Sequence, residues 1–280
     1  MSQRNSSSHS TIKLIHNLLY PSFEMSVDDD IIRKNPAKDA LGDNGEPAKE
    51  KMALTPSQQN RLLSFVERSS VYNVYLPMLQ IMIGTGCRCG ELIGLTWADV
   101  DMEKKEVSIS CQLIYKNYGD GYKFHVSTPK TDAGIRKIPM SETVYKAFAA
   151  QKRQNFLQRI PRNVEIEGRT DFIFMSKNGR PLMPSAVNNV LYNIVAAYNK
   201  QETEQAKKEK REAECMPSIS AHTLRHTGCT RMAEQGLDMK VVQYIMGHAN
   251  IGVTMEVYNH ITERARIENE IAKMDAVQVV

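Results

Sequence analysis

The chain has 280 residues, of which 41% are hydrophobic, so it can bury the core of one large domain with a small additional unit. Its net charge of +4 permits a nucleic-acid partner but does not require one. No apolar run reaches the ~18 residues of a membrane span, and residues 1–10 lack the apolar core of a secretory signal. The five cysteines form no pair of C-x-x-C units, which favours reduced thiols over a disulfide framework or a zinc site.

Two segments in the middle of the chain concentrate basic residues. Seven Lys and Arg residues stand against three acidic residues from Lys104 to Lys137, and six stand against two from Tyr145 to Arg169. Such segments form either solvated faces or a surface that contacts phosphates. The candidates for contact with DNA are Lys104, Lys105, Lys123, Arg136, Lys137, Lys152 and Arg153.

The first fifty residues divide into three parts. Residues 1–10 are polar and are expected to form a disordered tail. Residues 11–34 carry apolar side chains at helical spacing, although Pro21 is expected to bend or break the helix, and they are too few to build a core. Residues 35–52 hold glycines and prolines among charges without periodicity, which predicts a linker.

The predicted main domain, residues 53–280, opens with helices. Thr55 is a good N-cap and Gln58 can complete a capping box, so a helix is expected over about 56–68. A more apolar helix follows over about 71–85 and ends at a pair of glycines.

The hydrophobic period changes to two after these helices. Alternating apolar residues over 106–115, 122–127 and 135–138 predict three strands, with turns at 119–121 and 132–134. We therefore predict a small three-stranded antiparallel sheet within an α+β domain that is mainly α-helical.

Helices are predicted for most of the remaining chain. Helical spacing of apolar residues recurs after the sheet, interrupted by short polar loops. The predicted spans are 141–159, 185–200 with a charged extension to 215, 221–235, 238–246, 251–259 and 262–274.

His222 and Arg225 lie one turn apart on the predicted 221–235 helix. This spacing puts an imidazole and a guanidinium on one helix face, where the two groups can hold a small anion such as a phosphate. The spacing is also common by chance, so a surface pair without function is the alternative.

Two more polar residues follow in the C-terminal part. Gly247 suits the left-handed position after a helix end, which would turn the chain and project His248 from the corner. Tyr258 has a phenol with an ordinary pKa near ~10, so it attacks well only where positive groups stabilise the phenolate. Each residue taken alone is also consistent with a structural role.

Three residues upstream carry related chemistry. Arg88 follows a glycine turn at a helix start, and Glu91 could orient its guanidinium. Lys130 lies in a turn between two strands, where a flexible ammonium can reach into a cleft. A surface salt bridge and a solvated turn lysine are the structural alternatives.

Together and in this order, these residues resemble the tyrosine recombinases of the phage integrase family. The resemblance covers about residues 53–272 and is strongest toward integrases of bacterial mobile elements, conjugative transposons included. The motifs are T-G-x-R-x-x-E-L over 85–92, K-T-x-x-G-x-R-x-I-P over 130–139, H-x-L-R-H-T over 222–227, G-H at 247–248 and T-x-x-x-Y-x-H over 254–260.

The resemblance implies a DNA breaking and rejoining fold and a covalent reaction. Tyr258 would attack the scissile phosphodiester, which gives a 3′-phosphotyrosyl bond and a free 5′-hydroxyl. Lys130 would be the general acid for the leaving 5′-oxygen, and His222 would assist proton transfer with the tyrosine.

The same resemblance assigns the residues that hold the phosphate. Arg88 and Arg225 would clamp the two non-bridging oxygens and stabilise the charge that grows in the pentacoordinate state. His248 would donate a hydrogen bond to the phosphate, and Glu91 would orient the basic groups that bind it.

The resemblance also implies partners. Because the arginine pair would replace metal ions, no metal and no other cofactor is expected. The implied partners are double-stranded DNA core sites, further copies that form a homo-tetramer on synapsed DNA from free monomers or dimers, and an accessory directionality factor. The implied location is the bacterial cytoplasm in association with the nucleoid, without a membrane partner.

One departure from the family pattern leaves alternatives open. Residues 11–34 resemble only the last helix of a core-binding domain, so a truncated DNA-binding remnant without productive recombination is one alternative. A type IB topoisomerase or telomere resolvase uses the same residue types, although the spacing of H-x-L-R-H-T and G-H favours a recombinase. The helix over 262–274 could dock on a neighbouring protomer or on its own domain.

Overall fold

The chain divides into two compact units, which comprise residues 1–51 and residues 52–280. The structure, a computed structural model, describes residues 9–41, 53–129, 131–161, 163–252 and 254–255. Lys130, Tyr258 and the predicted helix over 262–274 lie outside the described residues, so the predictions for them stay predictions.

One helix makes up most of the described part of the first unit. Helix α1 (His9–Asp28) continues through Pro21, so this proline does not break it. A proline removes a single backbone donor, so the helix loses one hydrogen bond here and continues on both sides. The buried amide of Asn35 donates to the backbone carbonyl of Tyr20 on α1 at 3.1 Å, so this residue packs against the helix. Residues 42–52 of the predicted 35–52 linker lie outside the described residues, so the linker stays a prediction.

Helices outweigh strands in the second unit, which confirms the predicted α+β class with mainly helical content. The described elements are α2 (Pro56–Arg68), α3 (Leu76–Thr85), α4 (Cys89–Gly94), β1 (Val100–Asp101), β2 (Glu106–Ile109), β3 (Gln112–Asn117), β4 (Tyr122–Ser127), β5 (Arg136–Pro139), α5 (Glu142–Gln158), α6 (Pro184–Glu209), α7 (Ala221–Glu234) and α8 (Met239–Met246).

The predicted ends of α2 and α8 are confirmed. The hydroxyl of Thr55 accepts from the backbone N–H of Gln58 at 3.2 Å, and the side chain of Gln58 accepts from Thr55 N–H at 2.9 Å. At the other end of the domain, Asp238 caps α8, and Gly247 ends it with φ +61°. Local sequence therefore fixes where the helices around the site begin and end.

The strands form two small antiparallel sheets rather than one. The predicted strand over 106–115 divides into β2 and β3. Strand β2 joins a three-stranded sheet in the order β1-β2-β5, while β3 pairs with β4 in a separate two-stranded sheet. Val107, Ile109 and Leu113 are all buried, so the alternation predicted which face is apolar but not which strand is the hydrogen-bond partner.

Helix α3 runs through the centre of the core and packs against α5 and α7. Its side chains Leu79, Ile81 and Met82 are fully buried. Gly228 on α7 allows the close approach, because a Cβ there would overlap the backbone carbonyl of Ile83. This contact fixes α7 against the element that leads into Arg88.

None of the helices within the described residues is both long enough and apolar enough to span a lipid bilayer.

Candidate active site

Four residues selected from the sequence come together where three helices end or begin. Arg88 is the residue that precedes α4, and Glu91 lies in the first turn of that helix. Arg225 lies on α7, and His248 follows the left-handed residue Gly247 at the end of α8. Contacts across the fold join Arg88, Glu91 and Arg225 and bind Gly247, the residue before His248. Lys130 and Tyr258 lie outside the described residues.

The carboxylate of Glu91 is the centre of the cluster, and its side chain is only 3% exposed. Arg88 donates to it twice, from Nη1 to Oε1 at 2.8 Å and from the backbone N–H to Oε2 at 2.8 Å. Arg136 donates from Nη2 to Oε2 at 2.9 Å and from Nη1 to Oε1 at 3.3 Å. Nη1 of Arg225 lies 3.9 Å from Oε2.

These contacts keep the buried carboxylate ionised. Burial alone raises the pKa of Glu91, but the hydrogen bonds and charge of Arg136 and the contacts of Arg88 outweigh it and hold the pKa below the ordinary value. One negative charge therefore faces three guanidinium groups, which leaves the cluster with excess positive charge for an anion.

The end of α8 is bound by the same three arginines. Three consecutive carbonyls at a helix C-terminus lack intrahelical partners and carry partial negative charge, which favours cations there. Each of these carbonyls accepts a hydrogen bond from a different arginine. Ile245 accepts from Nε of Arg136 at 2.6 Å, and Met246 accepts from Nη2 of Arg225 at 2.5 Å. Gly247 accepts from Nη2 of Arg88 at 3.1 Å. The position of the following residue, His248, therefore depends on all three arginines.

Arg88 and Arg225 differ in their access to solvent. The side chain of Arg88 is 42% exposed, whereas that of Arg225 is 5% exposed. Arg225 also donates from Nη1 to the carbonyl of Gly86 at 2.6 Å. Burial, followed by the charge of Arg88, lowers the pKa of Arg225 to about 10, so it remains cationic at neutral pH. A guanidinium has five N–H donors, so both arginines retain donors for a phosphate.

His248 is half-buried beside this positive cluster. Its Nδ1 lies 3.0 Å from the hydroxyl oxygen of Thr254, a buried residue. Burial, and then the charges of Arg225 and Arg88, lower the pKa of His248 to about 4. The imidazole is therefore neutral at pH 7 and can donate a hydrogen bond from one ring nitrogen only.

His222 lies on α7, one turn before Arg225, and its ring is exposed. Its centroid is 4.8 Å from that of His226 in an edge-to-face arrangement. His222 and Arg225 lie one turn apart on α7, as predicted, but their environments differ. Arg225 faces the buried cluster, whereas His222 faces solvent.

Arg136 was predicted to contact DNA, and this prediction is wrong. Its side chain has an exposure of 0%, and its guanidinium is bound to Glu91 and to backbone carbonyls. The signal for burial was present in the sequence, because Ile138 is a core residue of the same strand. Strand alternation therefore places Arg136 inside and Lys137 outside.

The other six candidates for DNA contact lie outside the cluster. Lys104, Lys105 and Lys123 are exposed and form ion pairs with Asp101, Glu142 and Asp120. The remaining three side chains, all exposed, are Lys137 on β5 and Lys152 and Arg153 on α5. The backbone N–H of Lys137 donates to the hydroxyl of Tyr244 on α8, so Lys137 borders the cluster.

The described residues contain no group of three His, Cys, Asp or Glu side chains that could hold a metal ion. Within the Cys87-x-Cys89 pair, burial raises the pKa of Cys87 to about 12, so this thiol stays protonated. The only carboxylate described in the cluster, Glu91, is occupied by arginines.

Comparisons with known proteins point to one family. The model of the phage integrase family matches residues 52–264. The transposase from transposon Tn916 of Enterococcus faecalis is 36% identical over 262 residues, which cover 92% of this chain and 60% of the transposase. The Tn1549 transposon integrase in complex with circular intermediate DNA has a TM-score of 0.79 and 34% identity, covering 95% of this chain and 80% of that chain.

A more distant structure shows the same fold. XerA recombinase aligns with a TM-score of 0.53 at 19% identity, over 93% of this chain and 81% of that chain. The chain spans about 60% of the length of the curated transposon transposases that it matches.

Proposed function

The chain belongs to the phage integrase family, and from this we propose that it is a site-specific DNA recombinase. It cleaves and rejoins DNA strands through a 3′-phosphotyrosyl intermediate, without metal or ATP. The observation that carries the proposal is the pair of guanidinium groups, Arg88 and Arg225, held beside one buried carboxylate with positive charge in excess.

The arginine pair acts on the charge of the reacting phosphate. Attack on a phosphodiester adds negative charge to the non-bridging oxygens in the pentacoordinate state. Arg88 and Arg225 are already fixed by Glu91 and by the carbonyls at the end of α8, so they need little reorganisation as the charge develops. Preorganised donors of this kind contribute on the order of 3 kcal/mol each to lowering the barrier.

The other residues carry out the nucleophilic attack and the proton transfers. Tyr258 is the nucleophile, and the positive cluster stabilises its phenolate. Lys130 protonates the leaving 5′-oxygen, and His222 assists the transfer of the tyrosine proton. When the hydroxyl of Thr254 donates to Nδ1 of His248, the proton of the neutral ring is on Nε2, from which it donates to the phosphate.

The substrate is double-stranded DNA at the ends of a bacterial mobile element. The complex of the Tn1549 integrase with circular intermediate DNA supports this substrate class. A homo-tetramer on two synapsed sites, assembled from monomers or dimers, and an accessory directionality factor complete the proposal. Lys104, Lys105, Lys123, Lys137, Lys152 and Arg153 supply contacts to the DNA backbone, and the reaction takes place in the cytoplasm at the nucleoid.

A trapped covalent intermediate tests this function. Duplexes tiled across the DNA that flanks the gene carry a nick beside each candidate cut position, so that the short released fragment diffuses away. We expect a protein–DNA adduct with at least one duplex in the presence of EDTA, and none with Tyr258→Phe. Binding without an adduct on every duplex would identify a DNA-binding remnant instead.

A plasmid assay separates the recombinase from a topoisomerase of the same chemistry. We expect strand exchange between two plasmids that carry the cleaved site, and little relaxation of supercoiled plasmid without that site. Relaxation of any supercoiled plasmid without exchange would favour a type IB topoisomerase.

A further inference from the structure

Arg136 has the most enclosed guanidinium of the three in the cluster, with a side-chain exposure of 0%. It donates to both oxygens of Glu91, at 2.9 and 3.3 Å. Its Nε donates to the carbonyl of Ile245 at 2.6 Å, and its Nη1 donates to the carbonyl of Gly134 at 2.9 Å. One side chain on β5 therefore joins α4, the end of α8 and the turn that leads into β5.

Gly247 adds a fourth contact to this guanidinium. A Cβ at Gly247 would lie 2.8 Å from Nη1 of Arg136, so the chain passes directly over the guanidinium just before His248. The carbonyl of Gly247 accepts from Arg88 at 3.1 Å. Arg136 thus lies beneath the backbone segment that positions His248. The same segment accepts a hydrogen bond from the partly exposed Arg88.

We propose that Arg136 is a positioning residue for the strand-cleavage step and not a DNA contact. It fixes the carboxylate of Glu91, through which Arg88 is oriented, and it fixes the end of α8, from which His248 projects. It also binds the turn at 132–134, which follows Lys130 in the sequence. The inference rests on the proposed function and assigns one residue a role within it.

The chemistry of a buried arginine explains why the position requires this side chain. A lysine offers one ammonium and cannot donate along two edges in a fixed plane, so it cannot bind Glu91, Ile245 and Gly134 together. Buried ion pairs often add little net stability compared with apolar side chains of similar volume. The geometry that Arg136 imposes is therefore the more direct reason for its presence.

The test uses the full chain, the nicked duplex that traps the adduct, and the variant Arg136→Lys. Two quantities are measured separately, the adduct formation rate at saturating duplex and the duplex Kd in a Tyr258→Phe background. Because misplacement of catalytic groups by about 1 Å can cost about 100-fold in rate, we expect a rate loss of that order. The Kd should stay within about threefold, because Arg136 contacts no DNA.

Arg169→Lys is the matched control. Arg169 is also a largely enclosed arginine, paired with Asp99 and near the carbonyl of Gly94. Among the described residues, no hydrogen bond or ion pair joins it to the cluster. Its substitution should change stability without changing the adduct formation rate. A combination of Arg136→Lys with Arg88→Lys should lose less rate than the product of the two single losses, because part of the effect of Arg136→Lys acts through the guanidinium of Arg88.

Each outcome decides the inference. Wild-type rate in folded Arg136→Lys, or losses that add fully with those of Arg88→Lys, would overturn it. If Arg136→Lys does not fold, the pair Glu91→Gln with Arg136→Gln removes both charges of this ion pair, and its folded form should lose more rate than Glu91→Gln alone, because it also lacks the contact with Ile245. Failure of both variants to fold, or wild-type rate in the pair, would also overturn the positioning role. Absence of any adduct in the wild-type chain would instead overturn the proposed function, and the positioning role with it.

Discussion

The backbone N–H of Leu54 donates to the hydroxyl of Thr227 at 3.0 Å, although the two residues are 173 positions apart. The carbonyl of Leu54 accepts from Nη2 of Arg231 at 2.8 Å. Both backbone groups of this residue are thus bound to α7, the helix that carries His222 and Arg225. The start of the second unit is therefore fixed directly to the helix that supplies Arg225 to the site.

Thr227→Val tests this connection. The substitution keeps the shape of the side chain but leaves the buried N–H of Leu54 without its acceptor, so the free energy of unfolding should fall by about 1–3 kcal/mol. Urea denaturation measures the change. Thr230→Val is the control, because the hydroxyl of Thr230 bonds only within the helix, to the carbonyl of His226. Equal losses in the two variants would contradict the role of the Leu54 contact.

Glu91→Gln should cost both stability and activity. The amide is similar in size but leaves the buried charge of Arg136 without its counterion, and breaking a buried ion pair on one side costs about 3–5 kcal/mol. Urea denaturation at pH 7 measures the loss of stability, and the trapped-adduct assay measures the loss of rate. Glu142→Gln, which removes an exposed partner of Lys105, should change neither quantity appreciably. A Glu91→Gln variant as stable as the wild-type chain would contradict the central place of this carboxylate.

Arg225→Lys should slow cleavage while leaving the fold intact. Lysine keeps the charge but loses the planar fork that binds Met246, Gly86 and a phosphate together, and loss of one such contact costs about 3 kcal/mol, near 100-fold in rate. Single-turnover adduct formation at saturating DNA is the measurement. Arg211→Lys, at an exposed arginine that also binds carboxylates, serves as the control and should keep the full rate. Equal rates for both variants would remove Arg225 from the chemistry.

His248 should make the folded chain less stable in weak acid. Its pKa is about 4 in the folded chain and 6.5 ordinarily, so the unfolded chain takes up a proton between these values while the folded chain does not. Stability from this residue is complete above pH 6.5 and falls as the pH drops toward 4. The slope is at most about 1.4 kcal/mol per pH unit and is reduced by solvent around the half-exposed ring.

Thermal unfolding from pH 7 to pH 4.5 measures this slope. Other carboxylates and histidines titrate in the same range, so the informative quantity is the difference between wild type and His248→Gln. The variant should lose less stability over the range. Identical slopes would show that His248 is not held neutral by the positive cluster.

The sequence predicted the helix ends well because caps are local. Thr55 with Gln58, and Asp238 with Gly247, act within a few residues, so their chemistry is legible without the fold. Strand pairing is not local. The alternation through Val107 and Leu113 was read as one strand, yet the hydrogen-bond partners change between them.

In the site, too, some features were predictable from local sequence and others depend on distant contacts. The spacing of motifs selected Arg88, Glu91, Arg225 and His248, and the fold brings them together. The three carbonyls at the end of α8 could not be predicted, because backbone groups leave no mark in the sequence and their partners lie up to 159 residues away. Arg136 was assigned to the DNA surface because it lies in a basic segment of the sequence. Its alternation with the core residue Ile138 indicated a buried side chain instead.

The identity of the residue that carries the cleaved DNA tests the phosphotyrosyl reaction most directly. The adduct trapped on the nicked duplex is digested with protease and nuclease, and the remaining nucleotide is located by mass spectrometry. We expect a single modified residue, Tyr258, linked to the 3′-phosphate of the cleaved strand. A nucleotide attached through a 5′-phosphate, or to any other residue, would contradict it.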